Sequence, residues 1–121
     1  MRGDKILVVD DSPTDLRMVA TSLQNAGYKI VTAVDGEDAV IKALAEKPRV
    51  IVMDVVMPKK NGFQTCRTLK TTEGTKSIPV VLISSKNQES DKFWGMKQGA
   101  DDYIVKPYDA QLLLDAIARF S

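Results

Sequence analysis

Five short apolar segments alternate with helical patterns along this chain, and this alternation constrains the fold most strongly. The strand-like segments are residues 5–9, 28–33, 50–55, 78–84 and 102–105. Continuous apolar runs rich in β-branched residues are typical of strands buried on both faces. Strands that alternate with helices imply βαβ units and a parallel sheet. Because crossover connections are right-handed, the sequence predicts an α/β fold with a doubly wound sheet and helices on both faces.

The helical patterns have recognisable start and stop signals. Ser12 precedes Pro13, which predicts an N-cap followed by proline at the first helical position. The predicted helices are residues 13–25, a second that opens at Asp35-Gly36 and ends before Pro48, then residues 63–70, residues 90–98 with Ser90 as the cap, and a last helix capped by Asp109. We expect Leu44 in the second helix and Ala110 in the last helix to face the core.

Length and charge limit the class of protein. With 121 residues, 44% of them hydrophobic, the chain is predicted to form one globular domain over residues 1–121. A net charge of +1 gives no sign of nucleic acid binding. No apolar run approaches the ~20 residues that span a bilayer, and no signal-peptide pattern is visible. The single cysteine, Cys66, fits a reducing compartment, so a cytoplasmic location is expected.

The chain contains no histidine. This excludes a serine–histidine or cysteine–histidine nucleophile pair and any metal site that uses histidine. It also excludes the chain as a phosphohistidine donor. Any chemistry must therefore use carboxylates, lysine, hydroxyl groups, the backbone or a hard cation.

One carboxylate interrupts the most apolar segment of the chain. Asp54 lies within the run Val-Ile-Val-Met-Asp-Val-Val at residues 50–56. A carboxylate is rarely buried without a partner, so Asp54 is expected at the end of its strand. Taken alone, this position fits a structural ion pair as well as a functional site.

Polar side chains stand at the carboxyl ends of four of the five predicted strands. They are Asp10 and Asp11, Asp54, Ser84 and Lys106. In a parallel sheet these ends lie on one edge, where ligands bind. Three converging carboxylates need a cation, and oxygen-only ligands favour Mg²⁺. A carboxylate beside Mg²⁺, lysine and a hydroxyl group is a reasonable arrangement for accepting a phosphoryl group.

These motifs, in this order, resemble a response-regulator receiver domain of two-component signalling. Asp10-Asp11 matches the acidic pair of that family, and Asp54, followed by Met57-Pro58 and Asn61-Gly62, matches the phosphoacceptor strand and loop. Ser84, Tyr103 and Lys106-Pro107 match the hydroxyl switch residue, the switch aromatic residue and the lysine–proline pair. The resemblance covers nearly the whole chain and implies a flavodoxin-like receiver fold with strand order 2-1-3-4-5.

The resemblance also implies a mechanism. Asp11, Asp54 and the Val56 backbone carbonyl would hold Mg²⁺, with Asp10 assisting through water. A histidine kinase, here of the chemotaxis type, would donate the phosphoryl group to Asp54. Lys106 and Ser84 would then move toward the phosphate. The Lys106–Pro107 peptide bond is expected to be cis.

The implied output is a change in a surface. Tyr103 would turn inward and alter the face formed by the fourth helix, the fifth strand and the fifth helix, where a downstream protein would bind near Trp94. Such a protein is not an enzyme beyond catalysing its own phosphotransfer and autodephosphorylation. The whole chain resembles the chemotaxis-type single-domain regulators, and residues 84–94 also resemble regulators of pilus-driven or phototactic motility. The same sequence fits a stand-alone regulator or one module of a longer protein.

Two other functions stay open from the sequence. One is a Mg²⁺-dependent phosphohydrolase with Asp54 as nucleophile, although such enzymes usually carry a second Asp where this chain has Val56. The other is a constitutive pseudo-receiver that only binds partners, although such proteins normally lose the acidic pair or the acceptor. Flavin binding is less favoured, because no Ser/Thr/Gly-rich loop follows the first strand. Val56 also leaves the lifetime of an aspartyl phosphate open.

Overall fold

A computed structural model describes residues 4–57 and 61–121 of the chain. Strands and helices alternate throughout. The elements are β1 (Lys5–Val9), α1 (Pro13–Asn25), β2 (Lys29–Ala33), α2 (Gly36–Glu46), β3 (Val50–Asp54), α3 (Gly62–Thr71), β4 (Val80–Ser84), α4 (Glu89–Lys97), β5 (Asp102–Val105) and α5 (Ala110–Phe120). The predicted α/β alternation is confirmed. None of the helices in these two ranges is long and apolar enough to cross a membrane.

The five strands form one parallel sheet in the order β2-β1-β3-β4-β5. This is the order that the resemblance implied. The chain reverses direction across the sheet after β2, so β1 and β3 are neighbours at the centre. Ligands of such sheets bind at this reversal, beyond the carboxyl ends of the strands. Asp54 pairs in register with Ile83 of β4 at that edge.

Two apolar layers cover the sheet. Alternate strand residues point to opposite faces. On one face the strands pack against Val19 and Leu23 of α1 and Leu113 and Ile117 of α5. The other face carries apolar residues of α2 and α3, together with Tyr103. They include Ala39, Ala43, Phe63, Cys66 and Leu69. Burial on both faces explains why the strand segments are continuously apolar in the sequence.

Side chains cap the helices that follow the strands. The Ser12 side chain accepts a hydrogen bond from the Asp15 amide at the start of α1. Asp35 accepts one from the Asp38 amide at 2.8 Å at the start of α2. Asn61 and Gln64 form a reciprocal capping box at the start of α3. These caps satisfy amide groups that have no partner within the helix.

Several predicted details are wrong. Ser90 does not cap the fourth helix: α4 begins one residue earlier, and the Gln88 amide donates to the Asp91 carboxylate at 3.2 Å. Leu44 is 39% exposed because α2 turns Ala39 and Ala43 inward, and the adjacent position lies about 100° around the helix. Ala110 is exposed at the first residue of α5. Strand β4 begins at Val80 rather than at residue 78, after a proline that cannot donate a ladder hydrogen bond.

Candidate functional site

The carboxyl ends of the strands bring the predicted polar residues to one edge. Asp10 follows β1, and its amide continues the pairing with β2 by donating to the Ala33 carbonyl at 3.1 Å. Asp54 is the last residue of β3, and Ser84 is the last residue of β4. Lys106 follows β5, and its amide donates to the Ser84 carbonyl at 2.8 Å. The backbone ladder therefore fixes where each side chain starts.

Three carboxylates meet at this edge. Asp10, Asp11 and Asp54 each offer an oxygen atom, and these atoms all lie within 4.8 Å of one another. Asp10 is buried, Asp54 is half-buried and Asp11 is exposed. The cluster is thus open to solvent on one side. A set of carboxylate oxygens with no nitrogen or sulfur ligand fits a hard divalent cation such as Mg²⁺.

Burial raises the pKa of two of these carboxyl groups. The pKa of Asp10 rises to about 6, mainly through burial, although the Ser12 amide donates to its Oδ1 at 2.9 Å. Burial also raises the pKa of Asp54, while Lys106 opposes that change. Negative charge is therefore costly at this edge, and a cation bound between the carboxylates would relieve the cost.

Lys106 supplies positive charge beside the cluster. Its Nζ lies 3.4 Å from Oδ1 of Asp54 and 3.7 Å from Oδ2 of Asp15. Burial lowers the pKa of the Lys106 ammonium group, but the nearby carboxylates, first that of Asp54, outweigh burial and raise its pKa overall. Lys106 thus stays charged. The Lys106–Pro107 peptide bond is cis, as the resemblance implied.

The backbone next to Asp54 packs tightly against the start of α3. The Gly62 amide donates to the Val55 carbonyl at 2.8 Å. A Cβ atom added to Gly62 would lie 2.4 Å from the Asp54 carbonyl oxygen and 2.7 Å from Cα of Val55. Only glycine fits there without a backbone shift. Val56 points outward, with 54% of its surface exposed, and Met57 is buried. Residues 58–60, which include Pro58 of the predicted motif, lie outside the described residues.

A chain of hydrogen bonds connects Ser84 with Tyr103. Ser84 is fully buried, and its Oγ accepts a hydrogen bond from the Lys86 amide at 3.0 Å. The Lys86 carbonyl accepts one from the Tyr103 hydroxyl at 2.9 Å. The Tyr103 ring is buried and stacks on Phe63, with 6.4 Å between the ring centroids. Burial raises the pKa of the Tyr103 hydroxyl. One loop residue, Lys86, therefore joins the two predicted switch residues through its backbone.

Helix α4 presents large apolar side chains to solvent beside this chain of hydrogen bonds. Phe93, Trp94 and Met96 are exposed by 64%, 54% and 45% of their surfaces. Phe93 and Met96 therefore do not pack into the core. Gly95, between them, is buried.

An apolar cavity of about 450 Å³ opens beside the carboxylates, between α1 and α5. Val8, Val52 and Ile83 of the sheet contribute to its lining. Asp10, Asp54 and Lys106 also contribute to the lining. A group that approaches Asp54 from this side meets both an apolar wall and the lysine.

Sequence reasoning did not predict the contacts of three residues of this region. Asp15 lies near Lys106 only because α1 packs across the edge from the loop after β5. Lys86 contributes through hydrogen bonds of its backbone amide and carbonyl groups, which every residue type except proline has, so the sequence could not single it out. Gly62 was named only as part of the Asn61-Gly62 motif, and its close approach to Asp54 was not predicted.

Comparison with known proteins identifies the family. A family model described as the response regulator receiver domain matches residues 6–118. The chain belongs to this family. It is 46% identical to Protein PilH of Pseudomonas aeruginosa over 113 residues, which cover 93% of each chain. The receiver domain is thus confirmed as the resemblance implied.

Solved structures agree with this assignment. The chemotaxis protein CheY4 of Vibrio cholerae superposes with a TM-score of 0.91 at 34% identity, over 98% of this chain and 99% of that one. The receiver domain of the sensor histidine kinase PA1611 from P. aeruginosa, solved with a magnesium ion coordinated in its active site cleft, gives a TM-score of 0.90 at 25% identity, over 98% and 97% of the two chains. The flavodoxin-like receiver fold is therefore confirmed.

Family membership carries a general function. Receiver domains are signalling switches of two-component systems rather than conventional enzymes. They bind Mg²⁺ in an acidic site, and they imply a histidine kinase partner and a downstream target. The likeness to PilH and CheY4 places this receiver close to chemotaxis regulators.

Proposed function

We propose that this protein is a signalling switch that accepts a phosphoryl group on Asp54 from a histidine kinase. One observation carries the proposal. The Asp54 carboxylate, half-buried at the carboxyl end of β3, lies within 4.8 Å of two other carboxylates and 3.4 Å from the Lys106 ammonium group. A nucleophile in contact with a lysine and beside a cation site is suited to phosphoryl transfer.

Mg²⁺ fits the donor set. Asp11, Asp54 and the Val56 carbonyl would hold the ion, with Asp10 assisting. When bound, Mg²⁺ neutralises the charge that develops on the transferring oxygens. The Lys106 ammonium group, which follows β5, would also stabilise this negative charge. The Ser84 hydroxyl, whose oxygen accepts the Lys86 amide, would donate its proton in a hydrogen bond to a phosphoryl oxygen.

The phosphoryl transfer needs only two reactants, the Asp54 carboxylate and a phosphohistidine of the kinase. An Asp54 oxygen attacks the phosphorus of a phosphohistidine, the P–O bond forms and the P–N bond breaks. The electron pair of the broken bond returns to the imidazole nitrogen of the kinase. Later attack by water releases inorganic phosphate and regenerates the Asp54 carboxylate, which is the autodephosphorylation reaction. The exposed apolar side chain of Val56 supplies no polar group to guide that water.

The output is a population shift of one face. Hydrogen bonds through Lys86 connect Ser84, at the edge that holds Asp54, with Tyr103, whose ring lies next to Gly95 of α4. We infer that phosphorylation favours the inward Tyr103 and one arrangement of the α4–β5–α5 face. A downstream protein then binds that face near Trp94 and Tyr103.

The likeness to PilH and CheY4 favours a chemotaxis-type kinase and a role in chemotaxis or pilus-driven motility. We assign residues 1–121 to one receiver domain that acts in the cytoplasm without binding nucleic acid. The net charge of +1 supports that last point.

Modification of Asp54 tests this proposal. Incubation with Mg²⁺ and acetyl phosphate should add the mass of one phosphoryl group, and base treatment should remove it, as expected of an acyl phosphate. Asp54→Asn should abolish the adduct, while Asp35→Asn should form it normally, because Asn replaces Asp well as the N-cap of α2.

Two results would contradict the switch. The first is the lack of an adduct on the folded wild-type protein, which would favour the pseudo-receiver. The second is an adduct that survives Asp54→Asn. Rapid turnover of a phosphorylated small molecule would instead support the phosphohydrolase.

A further inference from the structure

Gly95 occupies an unusual position in α4. It lies inside the helix, where glycine is among the least favourable residues because of its backbone entropy. Its neighbours Trp94 and Met96 expose their side chains, whereas Gly95 is buried against the body of the protein. The burial of Gly95 points to a packing reason for the lack of a side chain there.

Two aromatic rings occupy the space where a side chain at position 95 would stand. A Cβ atom added to Gly95 would lie 2.9 Å from Cδ2 and 3.2 Å from Cε2 of Tyr103. It would also lie 3.2 Å from Cε1 of Phe63. The first distance is below any normal contact between carbon atoms, so the Tyr103 ring or the helix would have to move.

The Tyr103 ring has little room to move within the core. It is 4% exposed and stacks on Phe63, which is itself buried. Its hydroxyl donates to the Lys86 carbonyl at 2.9 Å. A shift away from position 95 presses on Phe63 or breaks the hydrogen bond to Lys86. The ring can instead rotate outward toward solvent, because β5 is an edge strand of the sheet.

We propose that Gly95 is a positioning residue. Because it has no side chain, the Tyr103 ring fits at its inward site, where the Tyr103 hydroxyl donates a hydrogen bond to the Lys86 carbonyl. The side chain at position 95 sets the fraction of molecules with Tyr103 inward. Any larger residue shifts that equilibrium outward. The signalling consequence rests on the proposed function, whereas the placement of Tyr103 does not.

Chemical labelling measures the placement directly. Tetranitromethane nitrates exposed tyrosine rings, and peptide mass spectrometry reports each of Tyr28, Tyr103 and Tyr108 separately. In the wild-type protein without Mg²⁺ or phosphodonor, Tyr103 should be nitrated more slowly than the half-buried Tyr28. In Gly95→Ala the ratio of Tyr103 to Tyr28 nitration should rise by at least about fivefold, as expected if the inward state loses most of its population.

Two further variants complete the design. Ser90→Ala, at an exposed position of α4, should leave the nitration ratio unchanged and controls for altered helix propensity. If Gly95→Ala does not fold, adding Tyr103→Ala should restore a cooperative unfolding transition, because it removes the closest ring atoms. General damage to α4 would not be rescued in this way.

An unchanged nitration ratio in a folded Gly95→Ala protein would overturn the inference, and so would a misfolded variant that Tyr103→Ala does not rescue. The proposed function fails separately. If the wild-type protein formed no adduct on Asp54, its role as phosphoacceptor would be refuted. The nitration result would still test the placement of Tyr103.

Discussion

At the scale of single residues, the acidic edge is a compromise between stability and ion binding. Asp10, Asp11 and Asp54 offer oxygens within 4.8 Å of one another, and burial raises the pKa of Asp10 to about 6. Like charges at this separation repel, and a partly buried carboxylate also loses hydration. The residues that suit a cation therefore destabilise the protein without one.

We predict that Asp10→Asn stabilises the ion-free protein. Asparagine keeps the oxygen that accepts the Ser12 amide but removes one negative charge. The free energy of unfolding should rise by about 1–2 kcal/mol, less than the ~2.7 kcal/mol that two pKa units represent, because the site opens to solvent. Urea unfolding with EDTA measures this change. Added Mg²⁺ should stabilise the wild-type protein more than the variant.

Asp35→Asn is the matched control for this prediction. Asp35 caps α2 by accepting the Asp38 amide at 2.8 Å, and asparagine is an equally good cap. Its unfolding free energy should stay within about 0.5 kcal/mol of wild type, with a normal response to Mg²⁺. Equal stabilisation by both substitutions would show that crowding of carboxylates is not the cause.

At the scale of elements, the junction of β3 and α3 holds Asp54 in place. The Gly62 amide binds the Val55 carbonyl, and the Asn61–Gln64 capping box fixes the start of the helix at the same point. The helix thus approaches the strand end closely enough to exclude any side chain at position 62. The position of the acceptor depends on this junction.

We predict that Gly62→Ala is destabilising, although alanine favours helices in general. The added Cβ would meet backbone atoms of residues 54 and 55, which cannot move as a side chain can. The free energy of unfolding should fall by at least about 2 kcal/mol, and the Asp54 adduct should form more slowly. Gly36→Ala, at the first residue of α2, provides the same substitution at the same helical position. A Gly62→Ala protein as stable as wild type would contradict the close approach of α3 to the end of β3.

At the scale of the whole molecule, the acidic edge and α4 belong to one connected structure. Ser84 ends a central strand, Lys86 lies in the following loop, and Tyr103 on β5 reaches back to that loop. Gly95 of α4 packs on the Tyr103 ring. A change at Ser84 therefore has a continuous path of contacts to the exposed side chains of α4.

Trp94 should report this connection. It is the sole tryptophan of the chain, and it is half-exposed on α4. Mg²⁺ with beryllofluoride, which mimics a phosphoryl group, should change its fluorescence emission. The change should vanish in Asp54→Asn and shrink in Tyr103→Phe, which keeps the ring but loses the hydroxyl that holds Lys86. An equal response in Tyr103→Phe would show that the hydroxyl takes no part.

The sequence alone determined the alternation of strands and helices and the set of residues at the strand ends. Apolar runs and cap residues are local signals, and parallel strands necessarily place their carboxyl ends on one edge. For this reason the meeting of Asp10, Asp11 and Asp54 could be predicted without coordinates. The absence of histidine narrowed the possible chemistry in the same way.

The tertiary structure decided what lies between these residues. The contact of Lys106 with Asp15, the exclusion of side chains at Gly62 and Gly95, and the backbone link through Lys86 join residues that are distant along the chain. The exposure of Leu44 likewise depended on how its helix turns against the sheet. Such contacts follow from the angle and distance at which each helix packs, and side-chain volumes from several elements set these together.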